Sequence, residues 1–251
     1  MNYIYPSIPI IATLIEALIV FLILEKIYKL KPLLVSFDFP KKEILLSTIL
    51  YLILFIFVLL IFWLKGIQNA TIGNTGEEYS LLTALQQLLS NAIILLPFGI
   101  TLTIRKQSPR TLGLFKENLL PSIVGGLVIS ALACVFFKQV SIKIWLSAPI
   151  LFQLVAQLGV GFSEEMIFRG YLLLRFSAFF QRAHAEIITA GMFAIIHIPQ
   201  RLFYNFTPME LLIDLVVLFI WGWVFNRMVR LMGNISGLAI LHAVMNVLIG
   251  A

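Results

Sequence analysis

Charge is scarce in this sequence, and so are the residues on which many soluble enzymes are built. Only 12% of the 251 residues are charged while 61% are apolar, a balance outside that of soluble globular domains. There is one cysteine, Cys134, so an internal disulfide and a CxxC metal or redox pair are both excluded. Aspartate occurs twice, as Asp38 and Asp214, and only Asp214 lies in an apolar run. No pair of membrane aspartates is therefore left to share a proton. No His-Glu-x-x-His, Gly-x-Ser-Gly or Gly-x-Ser-x-Gly occurs, which removes the zincin helix and the serine nucleophile elbow.

What is abundant is apolar sequence in long runs, at roughly 7–25, 44–64, 81–104, 119–137, 147–174, 185–199, 210–226 and 234–250. A bilayer crossing takes about 20 apolar residues, so the runs predict an all-α, polytopic bundle of about eight transmembrane helices. The runs near 185 and 234 are short for a crossing, and the one from Ala148 is long and interrupted by charge. Such irregular segments are tolerated at membrane depth only where protein covers them. No internal repeat or linker is visible, and residues 1–251 are read as one integral membrane domain. The first run has no basic flank before it and no small-residue cleavage site behind it, so it reads as a retained helix and not as a signal peptide.

Basic residues set the expected orientation. Of the 18 Lys and Arg residues, thirteen fall in alternate loops: Lys26, Lys29, Lys31, Lys41, Lys42; Arg105, Lys106, Arg110, Lys116; Arg175, Arg182; Arg227, Arg230. Only Lys65, Lys138, Lys143 and Arg201 fall in the opposite set, and Arg169 lies inside a run. Both termini are thus expected outside, with the basic loops in the cytoplasm. The net charge of +6 reads as topology and contact with anionic lipid. No nucleic-acid partner is expected.

The chemistry concentrates in Gly161-Phe-Ser-Glu-Glu-Met-Ile-Phe-Arg-Gly170, where two carboxylates and a guanidinium enter an apolar helix. Ionised groups at membrane depth cost a few kcal/mol each unless paired or hydrated, and they mark functional sites by default. Glu165 and Arg169, at i and i+4, share one helix face, whereas Glu164 lies about 100 degrees round and is free for another partner. The plain alternative is a structural ion pair beside a cavity-facing Glu. His197 and His242 follow in later runs, with Asn246 one turn beyond His242. Each His alone would serve equally as a helix-packing hydrogen bonder. His184, beside Arg182, reads as a solvated loop residue. Carboxylate, imidazole and amide gathered in a lipid-shielded pocket suit hydrolysis, because Glu or His deprotonates water while His or Asn donates to a developing oxyanion.

Glu164-Glu165-x-x-x-Arg169, Phe193-x-x-x-His197 and His242-x-x-x-Asn246, in that order and in separate helices, resemble the CPBP family of intramembrane peptidases. That family includes the type II CAAX prenyl endopeptidases and proteins linked to bacteriocin processing or self-immunity. The resemblance spans 110–250, with Thr111-Leu-Gly-Leu114 before a run, and leaves the first three helices unassigned. It implies that Glu164 activates water with help from His197, that His242 and Asn246 stabilise the oxyanion, and that Glu165 and Arg169 support them. It also implies a peptide or membrane-protein substrate and a multi-pass place in a prokaryotic plasma membrane. No cofactor is expected; in the alternative, zinc-dependent form, Glu164, His197 and His242 would ligate Zn2+ with an open position. The readings of other classes are a non-catalytic membrane adaptor or immunity protein and a proton-coupled transporter. The sequence carries no expectation for oligomeric state.

Overall fold

The computed structural model describes residues 4–29, 35–72, 80–136 and 147–249. Among these there is no strand, and the helices run α1 Ile4–Tyr28, α2 Pro40–Ile72, α3 Leu81–Ile104, α4 Leu119–Phe136, α5 Ala148–Phe179, α6 Arg182–Ile195, α7 Ile198–Phe203, α8 Pro208–Met232 and α9 Ser236–Ile249. Among the described residues, five stretches are long and apolar enough to cross a membrane: Pro40–Lys65, Leu81–Ile104, Lys116–Val135, Ala148–Phe179 and Pro208–Met232. The protein is an all-helical, multi-pass membrane protein, close to the eight helices expected. The outward faces of α2 and α3 carry large apolar side chains such as Leu52, Ile56, Leu82 and Leu89, as a lipid-facing surface must.

Helix ends follow local chemistry. Ser80 caps α3 by accepting from the Thr83 amide, and Thr207 with Glu210 forms a reciprocal capping box at the start of α8, satisfying amides that a helix start leaves without partners. Gly233 ends α8 in the left-handed conformation at φ 63°, where a side chain would be strained. The expected apolar run 185–199 is not one helix. It stops at Ile195 and restarts at Ile198, because Pro199 cannot continue the amide ladder.

α9 is the innermost element. At 14 residues it is about 21 Å long, short of a hydrocarbon core of about 30 Å, and it packs chiefly between α4 and α5. Contact there is backbone on backbone. A side chain at Gly161 would run into the Ala239 carbonyl, and one at Gly237 into the Ser122 carbonyl, the close approach that small residues permit in membranes. α8 packs on α6, α3 on α5, and α1 on α4 and α8.

A second polar knot ties the basic ends of the helices. Arg175 is fully buried and reaches Glu43 Oε2 at 3.1 Å, the Thr111 carbonyl at 3.2 Å and the Tyr171 carbonyl at 3.1 Å. Arg105 pairs with the same carboxylate, which also accepts from Gln107 Nε2 at 2.8 Å. Arg175 is therefore not the loop residue that its position after an apolar run suggests. It lies inside α5, neutralised by Glu43 from α2. The Thr111–Leu114 element forms the turn beneath this knot, with Gly113 at φ 79° and its carbonyl accepting from the Ile235 amide at 3.1 Å.

Candidate active site

Gln157, Gly161, Glu164 and Glu165 recur along α5 at helical spacing and turn one face of that helix toward α9. From α9 come His242 and Asn246. Phe193 stands in the last turns of α6 and His197 in the break after it, while Trp221 and Phe225 come from α8. Directly after Glu165 the helix changes register: Met166–Leu172 is a π-helix, a form found mostly as short bulges and often at functional sites.

Arg169 sits within this π segment with no exposed surface. Its Nη1 lies 3.2 Å from Glu165 Oε1, and Glu165 is equally sealed. The guanidinium lies over the rings of Phe193 and Phe225, at 4.3 and 5.3 Å from their centroids. Aromatic faces of this kind attract a desolvated cation. The i, i+4 pair expected from the sequence is present.

Glu165 Oε1 is also 2.9 Å from His242 Nδ1. With Glu165 held as a carboxylate beside Arg169, it can only accept, so this hydrogen-bond network assigns the proton to Nδ1. The other ring nitrogen, Nε2, then faces Glu164 Oε2 at 3.7 Å. That separation is too long for a direct hydrogen bond. The separation leaves room for one water off the line between the two atoms, which would reach both at about 2.8 Å. The two carboxylates differ in access: the Glu164 side chain is 25% exposed and the Glu165 side chain 0%.

His197 occupies the turn between α6 and α7, so the apolar run that carries it is not a continuous span at that point. Its Nδ1 is 2.8 Å from the Phe193 carbonyl. A carbonyl only accepts, so Nδ1 donates and Nε2 keeps a free lone pair. The ring stacks edgewise on Phe193 at 4.9 Å, and Phe193 in turn meets His242 at 6.3 Å. His197 forms no hydrogen bond to Glu164 among the described residues, and it joins the cluster through Phe193. Asn246 is half-buried and donates from Nδ2 to Gln157 Oε1 at 2.9 Å. It makes no bond to His242.

Glu164, Glu165, Arg169 and His242 thus form one contiguous group, with His197 and Asn246 flanking it through Phe193 and Gln157. Three participants escaped sequence reading. Gln157 had a usable signal, being an amide in an apolar helix seven residues before Glu164. Trp221 and Phe225 had none, because aromatics are ordinary in membrane helices. Of the alternative zinc set, no three described His, Cys, Asp or Glu side chains converge as a ligand group would, although His242 and His197 engage only Nδ1 and keep Nε2 open.

Residues 145–248 match the Rce1-like family of type II CAAX prenyl endopeptidases. The matched stretch takes in α5 to α8 and nearly all of α9, with all six site residues. The Rce1-like stretch begins after α4, so the Thr111–Leu114 turn, which the resemblance included, lies before it. No curated protein and no solved structure matches the chain.

Proposed function

We propose that this protein is an intramembrane endopeptidase that cleaves a peptide bond of a membrane-associated peptide or protein with a water activated by Glu164. The observation that carries the proposal is the unequal pair of carboxylates. Glu165 is sealed, paired with Arg169 and used to orient His242, whereas the Glu164 side chain is 25% exposed and its Oε2, itself buried, lies 3.7 Å from His242 Nε2 with no hydrogen-bond partner among the described residues. One carboxylate builds the site and the other can meet substrate.

In the proposed reaction, Glu164 takes a proton from a water held between its Oε2 and His242 Nε2. The hydroxide oxygen attacks the scissile carbonyl carbon, and negative charge develops on the carbonyl oxygen. Asn246 offers its second amide hydrogen to that oxygen, the first being given to Gln157. His242 serves the same oxyanion through Nε2 when that nitrogen carries a proton. The proton held by Glu164 goes to the leaving amine as the C–N bond breaks. His197 Nε2 is the accessory base. The Rce1-like match over 145–248 supports a CAAX-type protein C-terminus as one substrate, and the lipid-facing fold supports a membrane-bound one.

The test is turnover of the purified protein, in lipid nanodiscs, on a peptide library that includes prenylated C-terminal peptides. Glu164→Gln keeps the shape and removes the basic oxygen, so kcat is expected to fall at least about 100-fold with thermal stability unchanged. Prolonged chelation is expected to leave turnover intact, whereas a zinc enzyme would lose it and regain it with Zn2+. Full activity in Glu164→Gln would overturn the mechanism. An adaptor would show no turnover and would keep its biological effect in that variant.

A further inference from the structure

Around His242 several buried polar atoms have no hydrogen-bond partner among the described residues: Glu164 Oε2, Glu165 Oε2, the Arg169 nitrogens and Trp221 Nε1. Most have an evident counterpart. Glu164 Oε2 is the acceptor assigned to water, and Glu165 and Arg169 face each other at 3.2 Å, the guanidinium being further covered by two aromatic rings. Trp221 Nε1–H has none.

Trp221 is 6% exposed and lies on α8, with its ring centroid 5.7 Å from that of His242 and 4.9 Å from that of Phe225. A buried indole N–H normally finds an acceptor, and at membrane depth an unsatisfied one is costly. If packing alone were required, the phenyl ring found at Phe225, also against His242 at 6.1 Å, would suffice. The site is meanwhile short of donors aimed at a substrate, because Asn246 has given one amide hydrogen to Gln157 and His242 has given Nδ1–H to Glu165.

We infer that Trp221 Nε1–H, beside His242, is a hydrogen-bond donor to the scissile carbonyl oxygen of the peptide substrate. This rests on the reading of the chain as a peptidase. The indole completes what His242 and Asn246 begin. As a neutral donor on a ring packed against both Phe225 and His242, it stays fixed while the oxyanion forms, and it cannot be lost by titration. The partner must be an acceptor of carbonyl or oxyanion type, because Nε1–H donates only.

The experiment compares wild type, Trp221→Phe and the protein with benzothienylalanine at position 221, which keeps both fused rings and replaces only N–H by sulfur. Turnover is measured on a peptide that the wild type cleaves, beside thermal unfolding of each form. Removing one donor to a developing oxyanion is expected to lower kcat roughly 100-fold in both variants, with KM little changed and stability unchanged. Full activity with benzothienylalanine would overturn the inference, whatever Trp221→Phe does, since it would show that the ring and not the N–H matters. Loss appearing in KM alone would also overturn it by placing the donor on a different substrate group. If the wild type cleaves nothing, the peptidase reading fails and this inference with it; if wild type cleaves and the variants match it, only this inference fails.

Discussion

Glu165 and Arg169 invite an asymmetric test, since they share an ion pair but not their other contacts. Both are fully buried, 3.2 Å apart. Breaking a buried pair by removing one partner costs about 3 to 5 kcal/mol, because a charge is left uncompensated. In Glu165→Gln the stranded charge is the guanidinium, which keeps the faces of Phe193 and Phe225 and the weaker attraction of Glu164, so most of that cost is expected. In Arg169→Met the stranded charge is the carboxylate, but it still accepts from His242 Nδ1 at 2.9 Å. A hydrogen bond to a charged group retains roughly 1.5 to 3 kcal/mol. Arg169→Met should therefore cost less than Glu165→Gln by at least about 1.5 kcal/mol, using that retained bond as the difference. The double variant strands neither charge and should recover part of the loss. Thermal unfolding of the four proteins in one detergent, analysed as a cycle, measures this. Equal destabilisation by the two single changes, or greater loss in Arg169→Met, would refute the argument that His242 shares the carboxylate.

Three further outcomes are expected. Asn246→Ala should lower kcat by about 100-fold or more if the amide meets the oxyanion, with KM nearly constant; a purely structural Asn would lose thermal stability with kcat unchanged. Glu43→Gln should destabilise the fold by about 3 to 5 kcal/mol, since it removes the charge that Arg105 and Arg175 share, and unchanged unfolding would contradict the buried knot. On orientation, we propose that both termini face outward, so a cysteine introduced as Lys29→Cys should resist an impermeant reagent in intact cells and react after permeabilisation; labelling from outside would reverse the topology.

Hydropathy located the crossings because lipid imposes one requirement everywhere, a helix clothed in apolar side chains. It also exposed Glu164, Glu165 and Arg169, since charge inside such a helix is conspicuous, and the i, i+4 spacing paired Glu165 with Arg169. Other features depend on tertiary contact and leave little trace in spacing. Asn246 sits one turn from His242, yet its amide is drawn across to Gln157 on another helix. Arg175 resembles the solvated arginines of the following loop until Glu43, 132 positions earlier, is folded beside it. The apolar neighbours of His197 suggest a place inside a span, although Pro199, two residues on, disfavours continuous helix there.

The π segment Met166–Leu172 has a consequence for tolerance of insertions and deletions. It contains one of two buried arginines and precedes the other, and the two have fixed and different addresses: Arg169 faces Phe193 and Phe225, and Arg175 faces Glu43. Bonding from i to i+5 widens the helix and changes the angle swept per residue relative to the roughly 100 degrees of an α-helix, and this phase brings both side chains to their partners from a single continuous helix. Removing one residue between Glu165 and Arg175 would convert the stretch toward ordinary helix and rotate one arginine away from its partners. A single-residue change in α2 near Leu60 rotates mostly lipid-facing side chains, with Phe62 on Phe203 as the protein contact beyond it. Length variation among related sequences should therefore be rare across the π segment and common on the outer helices.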